Sequence, residues 1–232
     1  MCQPEAFLNL AREIKKRNLI LHSVGHGWTA KAVGCDVTGW DKHECEKDNE
    51  LLALVNGKRK YFKDVPSNTN LCYSNPAAQE AFANCVADYA EKHPETDVLH
   101  VWLADDCKNF CECENCKGLL PSDSYVLALN KIDEILSARK IKTRIAFLAY
   151  CELLWAPVKY KIKNEDRFIL MFAPITRPFS QNISDEAENS LYAKNEKFVL
   201  NKSAFPGDLT RNLAFLREWK KVFKGDSFIF DY

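Results

Sequence analysis

The stretch VLHVWLADDCKNFCECENC, Val98 to Cys116, decides how the chain folds. Its first half, Val98 to Ala104, is a short apolar run rich in Val, Leu and Trp and bounded by polar residues, the pattern of a buried strand. The run ends on two carboxylates, Asp105 and Asp106, and continues into a loop with four cysteines, Cys107, Cys111, Cys113 and Cys116. Pro121-Ser-Asp then opens a helix whose apolar positions Tyr125, Val126, Leu129, Ile132 and Ile135 recur at helical spacing. A strand, an acidic loop and a helix form a βα unit with its chemistry on the loop.

The same unit recurs on either side. Upstream, a helix over residues 4–17 leads to a strand, Leu19 to Ser23, whose exit VGHGW places glycines on both sides of His26 and leaves Trp28 beside it. A helix from Ser74 to about His93, with Phe82, Cys85, Val86 and Tyr89 on one face, feeds the central strand. Downstream, Thr143 to Tyr150 and Arg167 to Pro174 are two more apolar runs. The first ends in Glu152 and Trp155, the second in Arg177. A helix capped by Asp208 carries Leu213, Leu216, Trp219 and Phe223, and a last strand begins at Ser227 and runs to Asp231 and Tyr232. Between Cys35 and Asn75 no long periodic segment stands out; the region reads as irregular excursion with one hairpin turned at Asn56-Gly57.

Five or six near-continuous apolar strands separated by helices predict an α/β fold with a parallel sheet covered on both faces. Acids and aromatics at successive strand ends predict a (β/α)8 barrel of the TIM type, because reactive side chains of that architecture gather at the carboxyl ends of the strands. A full barrel takes about 250 residues and eight strands. The 232 residues are therefore expected to form a single domain, an incomplete barrel cut from a longer glycosidase-type protein. The isolated chain is then expected to show reduced activity or none.

Composition narrows the partners. Lys plus Arg and Asp plus Glu balance at 32 each, which leaves no long-range field to attract nucleic acid or an anionic membrane. No apolar run reaches the roughly 18 residues of a spanning helix, and the first residues lack an export signal, so the sequence leaves the compartment open. At 47% hydrophobic and 28% charged the chain has the ordinary balance of a globular domain. Ten cysteines are many. Cys35, Cys72, Cys85 and Cys151 sit in apolar or helical contexts and read as reduced, small apolar residues.

The candidate chemistry follows from the strand ends. Asp105 with Asp106, or with Glu152 across the barrel, supplies the two carboxylates that glycoside hydrolysis needs; in the hexosamine-specific variant one acid orients the substrate acetamide and the other protonates the leaving oxygen. The competing reading has an aspartate cap the following turn or pair with a lysine. His22, His26, Trp28, Tyr150, Trp155, Arg177, Asp231 and Tyr232 are candidates for binding sugar at the same rim, with stacking on a pyranose face and hydrogen bonds to hydroxyls. Against this, a histidine in a glycine turn and an Arg-Pro in a loop are common structural features. Cys107, Cys111, Cys113 and Cys116 have the residue type and part of the spacing of a structural zinc site, and free or locally paired thiols are the alternative. The chemistry itself calls for no cofactor.

Several phrases together carry a resemblance: HSVGHGWT from His22, LCYSNP from Leu71, VWLAD ending at Asp105, CECENC from Cys111, Ser122-Asp123 with Asn130, and FILMFAPITR ending at Arg177. From about residue 19 to 232 the chain resembles a bacterial barrel domain long described as of unknown function and since recognised, in part, as endo-β-N-acetylglucosaminidases acting on complex N-glycans. The resemblance implies a TIM-type barrel inside a longer, often exported glycosidase that cleaves with retention through the substrate acetamide. It implies an oligosaccharide or glycoprotein glycan as partner, and a shared cysteine cluster that leaves out Cys107. The chain departs from that family in lacking the flanking strands and a signal. Two rivals stand beside the hydrolase: a non-catalytic carbohydrate-binding module using the same aromatic rim, and a metal-stabilised interaction domain.

Overall fold

Five strands run parallel and follow one another across the sheet in the order in which they occur along the chain. The strands are β1 (His22–Ser23), β2 (Val98–His100), β3 (Arg144–Ala149), β4 (Phe168–Phe172) and β5 (Asp226–Ile229). In this computed structural model the described residues are 4–36, 39–45, 48–180, 182–183 and 197–230. Sequential parallel order is that of a (β/α) barrel wall; a doubly wound sheet would reverse its order at a switch point. The fold is therefore α/β and corresponds to an incomplete (β/α) barrel.

The helices are α1 (Pro4–Lys16), α2 (Trp28–Ala32), α3 (Pro76–Lys92), α4 (Glu114–Lys117), α5 (Pro121–Ala138) and α6 (Leu209–Val222). Their starts are chemically marked. The Asn75 side chain accepts from Ala77 N–H at 3.0 Å, and Asp208 accepts from Arg211 N–H at 2.8 Å, each satisfying an orphan donor of a first turn. Asp123, fully buried in the first turn of α5, accepts from Leu120 N–H and takes Val158, Lys159 and Tyr160 N–H on its other oxygen at 2.7 to 3.0 Å. One carboxylate thereby caps a helix and anchors the β3–β4 connection. That connection contains only short 3-10 turns, Cys151–Leu154 and Glu165–Arg167, among the described residues.

Alternation along the strands sorts the side chains. Leu99, Val101 and Leu103, Ile145, Phe147 and Ala149, and Phe168, Leu170 and Phe172 all join the main core with Phe82, Val86, Tyr125, Leu129, Ile132 and Trp219 from the helices. Each Leu, Ile or Phe so buried contributes about 1.5 to 3 kcal/mol relative to exposure. The opposite face carries Val98, Ala146 and Ile169 in one layer and Leu148, Met171 and Ala173 in the next, with Trp102, Tyr150, Phe228 and Phe230 against them. The helices cover one face, and the second is the barrel's interior.

Strand ladders are shorter than the apolar runs. β1 is confined to His22 and Ser23, and β2 stops at His100 although its run continues to Ala104. In the 35–75 region a two-residue hairpin bridges Val55 and Lys58, with Asn56 at φ 51° and Gly57 at φ 75°. Positive φ at both central positions is the requirement that an Asn-Gly pair meets.

Candidate active site and cysteine centre

At the carboxyl ends of β2, β3 and β4 lies a cavity of about 300 Å³. Asp105, Asp106 and Glu152 line it together with His26, Trp102, Tyr150 and Phe230, and Leu148 and Met171 from the barrel interior form its apolar wall. The three candidate acids therefore share one cavity.

Their environments differ. Asp105 accepts the Trp40 indole N–H at 2.9 Å. Asp106 takes Lys63 Nζ on one oxygen at 2.5 Å and its neighbour Cys107 N–H on the other at 2.8 Å. Both the turn-capping and the lysine-pairing alternatives thus apply to Asp106. Glu152 is 1% exposed, accepts from Lys108 N–H at 2.7 Å through Oε1, and has no partner for Oε2 among the described residues. Burial pushes the Glu152 carboxyl above its usual range, against the lowering effect of its own N–H and that of Lys108. Burial also lowers His26, which the nearby Asp105 only partly opposes. His26 Nδ1 and the Trp102 indole N–H are buried and likewise without a partner among the described residues. Three buried polar atoms without a partner among the described residues thus gather around one cavity.

Backbone geometry at the rim is unusual. Asp106 (φ 66°), Lys108 (φ 63°) and Cys151 (φ 47°) occupy the left-handed region, which side chains other than glycine enter rarely. A disulfide between Cys107 and Cys151 ties the β2 loop to the end of β3 beside Glu152.

The other rim candidates are distributed. His26 and Tyr150 line the cavity. His22 is exposed and does not line the cavity; its Nδ1 lies 2.9 Å from His100 Nε2. Trp28 is corrected to a core residue: it is buried on the helix side, donates its indole N–H to His100 O at 2.9 Å and meets Tyr89 edge-on. Trp155 is likewise core, packed on Phe215 and Phe198. Arg177 is buried with its guanidinium 4.7 Å from the Phe179 ring, and is not among the residues lining the cavity. Asp231 and Tyr232 lie outside the described residues. Sequence reasoning missed Trp102 and Trp40. Trp102 was signalled by period two, since Val98, His100 and Trp102 share a strand face; Trp40 came from a stretch without periodicity.

The cysteines form a different set from the expected one. Cys72, Cys111, Cys113 and Cys116 bring their sulfurs within 4.8 Å of one another, a grouping that can hold a metal ion. Cys107 is corrected out of this cluster, because it is bonded to Cys151. Cys72 and Cys151 are accordingly not the isolated apolar thiols their contexts implied. Hydrogen bonds from Cys111 and Cys116 hold the Cys72 thiol well below the ordinary thiol range.

Among the described residues, no helix is long and apolar enough to cross a membrane. No curated protein and no solved structure matches the chain. The model of one family, described as Domain of unknown function (DUF4838), matches residues 33–203, well over half of the chain, and the chain belongs to that family.

Proposed function

We propose that the cavity is the active site of a glycoside hydrolase acting on N-acetylglucosamine-containing glycans, of the endo-β-N-acetylglucosaminidase kind. The observation that carries the reading is the buried Glu152, with one oxygen unpartnered among the described residues, in the same aromatic-walled cavity as Asp105. An acid whose burial favours the protonated form is suited to deliver a proton to a leaving glycosidic oxygen. Asp105, steered by the Trp40 indole, orients and polarises the acetamide, whose carbonyl oxygen attacks the anomeric carbon as the aglycone departs with the Glu152 proton. Water then opens the resulting oxazolinium ring, with Glu152 taking the water proton. Asp106, already engaged by Lys63 and its own turn, holds the loop in place. Trp102 and Tyr150 offer faces and a donor for the sugar ring.

The test is incubation of the protein with a glycoprotein bearing complex N-glycans, followed by mass analysis of released reducing glycan. Release that disappears in Glu152→Gln and Asp105→Asn supports the reading. Release unaffected by both substitutions overturns it, as does glycan binding at equal affinity without turnover, which assigns the site to a carbohydrate-binding module.

A further inference from the structure

The four-cysteine cluster stands apart from the catalytic reading, and the inference drawn from it does not depend on that reading. Cys72 follows the Leu52–Leu71 bridge just before α3, whereas Cys111, Cys113 and Cys116 belong to the loop after β2. Cys72 Sγ lies 3.7 Å from Cys113 Sγ and 4.0 Å from Cys116 Sγ. A tetrahedral zinc with Zn–S bonds of about 2.3 Å requires sulfurs about 3.8 Å apart along each edge. A disulfide requires bonded sulfurs at about 2.05 Å, so Cys72 stands from Cys113 and Cys116 at the separation of co-ligands.

The surroundings suit a thiolate-rich centre. Leu54 N–H donates to Cys111 Sγ at 3.3 Å, and Ser74 Oγ lies 3.1 Å from Cys116 Sγ. Four thiolates around Zn²⁺ carry a net charge of −2, and the Arg59 guanidinium interacts with Cys72 and Cys113. Cys72, Cys111 and Cys116 are buried around Ala53, with the half-buried Cys113 packed against them. Cys113-x2-Cys116 spans the start of α4, and Cys116 and Lys117 N–H both bond to Cys113 O. This places two ligands on one tight turn, the usual half of a closed zinc site.

We propose that Cys72, Cys111, Cys113 and Cys116 bind one structural zinc ion, with Cys72 as the ligand from a distant segment and Cys107 excluded. Thiols that are protonated release their protons to solvent as the ion binds. The ion fastens the 107–117 loop to the segment before α3. Through Lys108 N–H on Glu152, and through Asn109, which hydrogen-bonds Asn70 and Asn68 O, the same loop reaches the cavity.

The test is zinc content of the full chain purified with reductant and without chelator. The expected value is about one zinc per chain, released on titration of the thiols with a mercurial. Cys107→Ser is expected to retain the ion and Cys72→Ser to lose it. If Cys72→Ser fails to fold, cobalt replacement in the unaltered protein decides, because four thiolate ligands give an intense sulfur-to-cobalt charge-transfer band and tetrahedral visible bands. Metal-free protein with four freely reactive thiols overturns the proposal, and so does zinc retained by Cys72→Ser but lost from Cys107→Ser. Neither readout involves glycan cleavage, so the hydrolase reading can fail while this one holds.

Discussion

Glu152 interacts with its own N–H and with Lys108 N–H in a site lined by Leu103, Leu148, Leu153 and Met171. Ionising a carboxyl there costs free energy that the two backbone donors do not fully offset. Its folded pKa is raised, so the folded state retains the proton over a pH range in which the unfolded chain has lost it. The associated stability is fully present below the unfolded value of 4.5 and is lost as pH rises through the folded value. Glu152→Gln has no such titration. Urea unfolding from pH 4 to 8 is expected to show the wild type losing stability relative to the glutamine variant as pH increases, and parallel curves would refute the raised pKa. Turnover should fall by about 10²- to 10⁴-fold in the same variant, the usual contribution of a positioned proton donor, while glycan affinity is retained.

At the scale of elements, the early end of β2 has a specific cause. Val101 N–H still bonds to Ala146 O on β3 at 3.0 Å, and the next bond of a parallel ladder would join Leu148 N–H to Val101 O. Instead the Tyr125 hydroxyl from α5 intervenes, donating to Val101 O and accepting from Leu148 N–H at 3.4 Å. The strands part at that point, beside the cavity. Tyr125→Phe leaves both backbone groups buried without the bridge and should cost about 2 kcal/mol. Faster amide exchange at Leu148 would accompany the loss; unchanged stability and exchange would show that the strands close directly. Elements with strong periodicity, such as α3, α5, β3 and β4, were legible in the sequence because their burial is local and repetitive. The Asn56-Gly57 turn was legible because backbone handedness demands those residues. The tyrosine wedge was not, since nothing in an apolar run records a hydroxyl arriving from the next helix. Likewise, Cys113-x2-Cys116 announced half of a metal site, but Cys72 is 39 residues before Cys111 in a different context, and only the fold brings them together. Trp28 and Trp155 misled for the converse reason: a tryptophan near a strand end serves the core as readily as the rim.

For the molecule as a whole, the barrel interior sets a limit on acid stability. His22 on β1 and His100 on β2 share a hydrogen bond, which requires at least one neutral ring. His100 is 4% exposed and packs against Trp102 and Phe228. Burial, reinforced by His22, lowers it to about 4; burial also lowers His22, against the attraction of Asp97. Here the unfolded chain binds the proton first, at about 6.5, so stability falls as pH drops from there to about 4 and levels off below. For His100 the loss is on the order of 2 to 3 kcal/mol, after discounting for the partly open interior. This limb runs opposite to that of Glu152. The histidine pair weakens the fold toward acid and the buried glutamate weakens it as pH rises above 4.5, so the two contributions oppose each other where their titrations overlap. His100→Gln should therefore flatten the acidic limb alone, and Glu152→Gln the alkaline limb alone. Because the two side chains lie at different depths with no shared hydrogen bond, the double variant is expected to show both effects added. Chemical denaturation across pH 4 to 8 for the four proteins measures each limb; an acidic limb that survives in His100→Gln would place its origin elsewhere in the chain.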